Sequence, residues 1–291
     1  HAYGNPFTGS GTEASVAKLT AGDMRRFHTA WFKPNNATLV IVGDTTLAAV
    51  TPKLERLFCT WTSGDVPTKN IGPVAPREAS SVFIIDRPGS LQSVIYVGNL
   101  APPKANSQEL AVELANKILG GDFTSRINMN LREDKHWTYG ARSSIIAARG
   151  QRPFVTMAPV QGDKTKETMQ ELDRELRGMI GAKPVTDAEF ARVVTSQTLK
   201  LPGTWETQAS VAGSLAEIVC FGLPDDYCQT YADKIRALTR DDLTAAAKTV
   251  VQPDHLVWVV VGDRSKIEAG VRELNFGKVG FLNADGQSVV P

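Results

Sequence analysis

The sequence predicts an α+β fold: a two-layer unit with an antiparallel sheet and helices on one face, duplicated, the second copy complete and the first truncated. Three observations predict it. The first is an internal repeat. Leu19-Thr20-x-x-Asp23, Pro34 and Val40-Ile41-Val42-Gly43-Asp44 return as Leu238-Thr239-x-x-Asp242, Pro253 and Val259-Val260-Val261-Gly262-Asp263, every pair at an offset of 219. Across 19–44 and 238–263, eight positions are identical without a gap. Self-similarity at a fixed offset marks one structural unit used twice. The second observation is that strand-like runs arrive in adjacent pairs. The third is that helical runs follow one another, which argues against a strictly alternating parallel fold.

The repeat extends backward: Tyr3-Gly4-Asn5-Pro6 resembles Phe221-Gly222-Leu223-Pro224 at an offset of 218. Only 18 residues precede the first copy. The expected organisation is therefore the C-terminal part of a first domain at 1–62, a linker at 63–80 and a complete second domain at 81–291. By the same arithmetic about 138 residues of a first unit would lie upstream of His1.

The elements follow in order. Thr20-x-x-Asp23 reads as a capping box that opens a helix running to about Phe32, before Pro34. Ala37–Val42 is β-rich and apolar, closed by Gly43-Asp44, and predicts a strand. Leu47–Phe58 predicts a helix. Residues 63–80 carry three prolines and two glycines with no periodic face, as a linker does. Val82–Ile85 and Leu91–Val97 predict strands joined through Arg87-Pro88-Gly89-Ser90, a turn sequence. Ser107–Leu119 predicts an amphipathic helix stopped by Gly120-Gly121, and Ser125–Lys135 a second helical stretch. Ala141–Ala147 and Pro153–Val160 predict an antiparallel pair. Met169, Leu172, Leu176, Met179 and Ile180 mark one helix face. Thr186-x-x-Glu189 caps the next helix, Trp205–Phe221 forms another, and Lys266–Leu274 a last one.

Composition narrows the function. The chain has 291 residues, 42% hydrophobic and 22% charged, with a net charge of +1. No basic field argues for nucleic acid or an anionic membrane. No apolar run approaches the ~20 residues of a membrane helix, and no secretory signal pattern is present. Cys59, Cys220 and Cys228 match no zinc spacing, and an odd count gives no disulfide framework; Cys220 and Cys228 are expected as small buried hydrophobes.

The common catalytic signatures are missing. His1, His28, His136 and His255 form no i, i+4 pair, so there is no His-Glu-x-x-His motif or its inverse. No Gly-x-Ser-x-Gly elbow or phosphate loop occurs. One stretch invites a chemical reading: Gly120-Gly121-Asp122-Phe123-Thr124-Ser125-Arg126-Ile127, then Leu131-Arg132-Glu133, then Thr138-Tyr139-Gly140. Arg132 and Tyr139 are seven apart, two turns at about 3.6 residues per turn, so a helix reaching that far would aim a guanidinium and a phenol the same way. Such a pair donates hydrogen bonds to a carbonyl or an oxyanion. A solvated arginine and a half-buried tyrosine ending a helix is the other reading of the same spacing.

This combination resembles the second domain of pitrilysin/insulinase-type zinc metallopeptidases, the inverted-zincin family that includes the mitochondrial processing peptidase. His1-Ala2-Tyr3-Gly4 is similar to a segment late in that family's first domain, and the Leu-Thr-x-x-Asp…Gly-Asp block is also shared. The resemblance implies two α+β domains closing around a peptide, with zinc held in the first by an inverted motif that this chain lacks. It implies that Arg132 binds a substrate carbonyl and that Tyr139 helps stabilise the tetrahedral intermediate. It implies no metal or other cofactor in this chain, zinc in an upstream segment or a sister subunit, a peptide as substrate and a homo- or heterodimer as one possible assembly. Resemblance to bacterial paired peptidases points to a periplasmic setting. The alternatives are a non-catalytic assembly subunit, or a peptide-binding module that accepts a strand at the edge Ala141–Ala147.

Overall fold

The computed structural model describes residues 11–69 and 72–289. The similarity of Tyr3–Pro6 to Phe221–Pro224 therefore lies outside the described residues. In chain order the first elements are helices α1 (Glu13–Val16), α2 (Ala21–Trp31) and α3 (Leu47–Phe58). Strands β1 (Ser81–Asp86) and β2 (Gln92–Ala101) lead to α4 (Glu109–Asn116) and the short α5 (Arg126–Asn128). Strands β3 (Arg142–Ile145) and β4 (Arg152–Gln161) precede α6 (Thr165–Ile180), α7 (Asp187–Leu199), α8 (Leu201–Thr204), α9 (Gln208–Phe221), α10 (Tyr227–Ala237) and α11 (Arg240–Val250). Then come β5 (Val257–Gly262), α12 (Arg264–Glu273), β6 (Lys278–Leu282) and β7 (Ser288–Val289). The chain divides into two compact units. One holds the residues up to Gly72 with Leu201–Tyr227, the other Pro73–Lys200 with Cys228 onward.

In the larger unit a seven-stranded sheet runs β3-β4-β2-β5-β1-β6-β7. β2 pairs antiparallel with both β4 and β5, while β1 runs parallel to both β5 and β6. The expected helices-over-sheet arrangement is present, with parallel pairs added around β1. Burial alternates along β1, β4 and β5, so one face of the sheet is covered and the other open. Val82, Ile84, Ile95, Val97, Phe154, Trp258 and Val260 point to the covered face. They meet Leu114, Ile118, Met169, Leu172, Leu176 and Leu243 from the helices. The α6 stripe read from the sequence is thus buried, Ile180 only partly. A buried ion pair sits in this layer. Arg152, 2% exposed, grips Glu109 with both terminal nitrogens and donates from Nε to the Pro102 carbonyl at 2.7 Å.

The repeat is visible in the backbone. Thr20 and Thr239 each accept a hydrogen bond from the backbone N–H three residues on, and Asp23 and Asp242 each return one. Short 3-10 turns follow at Pro34–Asn36 and Pro253–His255, again 219 apart. There the two copies part. Val257–Gly262 is a strand between β1 and β2, whereas residues 37–42, expected as a strand, form none. A strand exists only through a neighbour's ladder, and no described residue pairs with 37–42. Side chains follow the backbone. Leu243, Ala246 and Val260 are fully buried, while their counterparts Met24, Phe27 and Ile41 are 61%, 56% and 46% exposed.

The cysteines differ from expectation. Cys59 and Cys220 are exposed and Cys228 is half-buried, so none is a core residue.

Candidate functional site

The stretch Gly120–Gly140 lies in the larger unit, folded around one end of the helix layer. After α4 the chain widens into a π-helical turn, Lys117–Gly121. Gly120 is required there, because a Cβ would sit 2.5 Å from the Ser143 backbone nitrogen on β3. Asn116 fastens the same contact: its Oδ1 accepts from Ser143 Oγ at 2.7 Å. The chain then turns through Asp122–Ser125 into α5 and a second π-helical segment, Met129–Asp134. Such π segments occur frequently at functional sites.

The helix does not reach Tyr139. It ends at Asp134, and His136 adopts a left-handed conformation with φ of 59°. The Trp137 N–H bonds the Leu131 carbonyl at 3.0 Å, and the His136 ring donates from Nδ1 to the Arg132 carbonyl at 3.0 Å. This closes the helix as a left-handed C-terminal residue does elsewhere. Helical spacing therefore does not align Arg132 with Tyr139, and no contact joins their side chains among the described residues. They stand instead on neighbouring pieces, the π-helical segment and the loop after it.

That loop is pinned at both ends. The Trp137 carbonyl accepts from Gln161 N at 3.2 Å, and Ala141 N donates to Asn128 Oδ1 at 3.1 Å. Between them Thr138 Oγ1 bonds the N–H and the carbonyl of Gly140. Tyr139 stands on the crest, 92% exposed. Asn128 is 4% exposed, and its other end donates to the Phe123 carbonyl at 2.7 Å. One buried amide thus ties the loop before the helix to the loop after it.

Arg132 is held from the Phe123 side. Its guanidinium carbon lies 4.6 Å from the Phe123 ring centroid, and its Nε is 3.3 Å from Glu133 Oε1. The side chain remains 38% exposed, so the cation is presented rather than consumed. Arg126, in the same motif, has a different task. Its Nε and Nη2 each lie 2.6 Å from the Glu189 carboxylate, and it also donates to the Lys183 and Pro184 carbonyls. Glu189 completes the capping box of α7 with Thr186. Burial pushes this carboxyl up, but the hydrogen bonds from Arg126 and Thr186 outweigh it and hold the group below the ordinary glutamate value.

Among the described residues no group of three or more His, Cys, Asp or Glu is placed to hold a metal ion. His28 stacks on Phe32, and His255 bonds the Arg77 carbonyl. The donor set does not fit a zinc centre within these residues. Sequence reasoning singled out Arg132 and Tyr139 and read Glu189 as a helix cap, but missed the Asn128 clasp, the Phe123 ring against Arg132 and the pairing of Glu189 with Arg126 across 63 positions.

Residues 18–197 match the model of the peptidase M16 inactive domain. The chain belongs to the peptidase M16 family. The zinc protease PqqE of Helicobacter pylori is 20% identical over 205 residues, covering 69% of this chain and 46% of that protein. An uncharacterized zinc protease of Streptomyces coelicolor is 24% identical over 259 residues, covering 86% and 55%. The chain thus spans about half the length of the curated relatives it matches. In fold, the peptidase M16 inactive domain from Pseudomonas fluorescens superimposes with a TM-score of 0.79 at 21% identity, over 87% of this chain and 60% of that one. No described helix is long and apolar enough to cross a membrane.

Proposed function

We propose that this M16 chain supplies the substrate-contacting arginine and tyrosine of a zinc endopeptidase whose metal is held by residues outside those described here. The observation that carries the reading is the crest position of Tyr139: a phenol 92% exposed, on a loop fixed at both ends. Exposing an aromatic ring on a rigid support forgoes its burial and suits a group that waits for a ligand. Arg132, on the π-helical segment before that loop, offers planar donors to a peptide carbonyl, and the Tyr139 hydroxyl offers a donor where negative charge develops on the attacked carbonyl. The zinc proteases among its relatives supply the reaction class. The exposed apolar positions of the first repeat copy fit a chain that works against a zinc-bearing domain or sister subunit. In the assembled peptidase, Arg132→Ala lowers kcat/KM by about 2–4 kcal/mol, the range for one lost oxyanion donor. Tyr139→Phe lowers it in the same direction. Unchanged kinetics for both variants rejects the role.

A second reading concerns how peptide is held. β3 is the sheet's edge and pairs only with β4 among the described strands. An extended peptide adds there as a further strand through main-chain bonds. Proline or N-methyl scanning of a bound peptide separates this mode from side-chain capture.

A further inference from the structure

The open face of the sheet carries a hollow of about 420 Å³ that neither Arg132 nor Tyr139 lines. Its floor is Gly98 with Val155, Val257 and Val259 around it. Gly98 admits no other residue, since a Cβ would fall 2.1 Å from the Phe154 carbonyl oxygen. The floor therefore stays bare. The wall is the chain that leads into β1, from Val74 to Arg77. This wall is fixed in place. The Gln151 side-chain amide accepts from Val74 N at 2.7 Å and donates to the Val74 carbonyl at 3.0 Å. His255 donates from Nδ1 to the Arg77 carbonyl at 2.7 Å. A preformed, mainly apolar cavity of a few hundred Å³ with a few polar groups is what a small-ligand site looks like.

The polar groups say what enters. Arg77 is exposed, donates to Ser81 Oγ at 3.1 Å and lies over the Phe83 ring at 5.5 Å, and has no carboxylate partner among the described residues. A lone guanidinium lining an apolar hollow complements an anion, and a carboxylate matches its fork. Tyr96, 39% exposed, also lines the hollow and offers its hydroxyl as a hydrogen-bonding group to an entering peptide amide. β2 and β5 have neighbours on both sides, so capture here is by side chain and terminus, not by strand addition. We propose that this hollow binds the apolar C-terminal residue of a peptide, its side chain on Gly98 and its α-carboxylate on Arg77. This goes beyond the Arg132/Tyr139 reading and does not depend on it.

The test reads binding, not turnover, so it stands apart from the outcome for Arg132 and Tyr139. The whole chain, methyl-labelled at valine, is titrated with an N-acetylated tetrapeptide ending in phenylalanine, as free acid and as C-terminal amide. The acid shifts the Val155, Val257 and Val259 methyls, and the amide binds about tenfold more weakly. Arg77→Gln brings the acid to the affinity of the amide, and Val155→Trp removes both. The proposal falls if the acid leaves those methyls unmoved at about 1 mM. It also falls if acid and amide bind equally, or if decanoate binds more tightly than the peptide. The titration of the unaltered chain decides even if a variant fails to fold.

Discussion

Asn128 sets where two exposed groups stand while touching neither. Its amide holds the Phe123 carbonyl on one side and the Ala141 N–H on the other. Asn128→Leu leaves the buried Ala141 N–H unpaired, a destabilisation of about 1–3 kcal/mol, while the carbonyl of exposed Phe123 turns to water. Urea unfolding of the variant measures it. Phe123→Ala removes the ring under Arg132, an interaction of about 0.5–1 kcal/mol. In the assembled peptidase it should cost less kcat/KM than Arg132→Ala. Glu189 carries the pH dependence of the site's foundation. Its folded value lies below the reference 4.5, so its stabilising contribution is present above that pH and is lost as pH falls through the lowered folded value. Glu189→Gln should flatten the acid limb of the stability curve, as measured by thermal melts between about pH 5 and 3. Residue spacing singled out Arg132 and Tyr139, but their placement rests on π-helical turns and a left-handed His136. A regular helical count cannot express either.

At the scale of elements, α2 and α11 begin alike and differ in what covers them. Both have a complete capping box, yet α11 buries Leu243, Ala246, Ala247 and Val250 and α2 buries nothing. Most helical stability in proteins comes from a packed face, not from caps. Backbone amides of α2 should therefore exchange with solvent far faster than those of α11, as hydrogen-exchange mass spectrometry will show. Thr239→Ala should cost about 1 kcal/mol of stability. The elements legible in the sequence are those with strong local signals: α2 by its capping box, α11 by the same box repeated, and β1 and β2 by strand-like runs on either side of a Pro-Gly turn. β6 and β7 were missed because Lys278–Leu282 and Ser288–Val289 are short and mark no periodic face. The strand expected at 37–42 is absent, because β-propensity does not make a ladder.

At the scale of the molecule, duplication was legible and its consequence for burial was not. Identity at eight positions announces a shared unit, but exposure depends on which layers surround each copy. Phe27, Phe32, Leu39 and Ile41 are 46–58% exposed, where the second copy has residues in the core. Exposed apolar side chains of this size are sticky in water. The isolated chain should bind a hydrophobic dye, and Phe27→Ser with Leu39→Ser should reduce the signal without lowering the unfolding midpoint of the larger unit. The amide clasp of Gln151 on Val74 has its own outcome. A protease must draw an extended, released stretch into its cleft. Trypsin should therefore spare the bond after Arg77, exposed though that side chain is, and Gln151→Ala should turn it into an early nick.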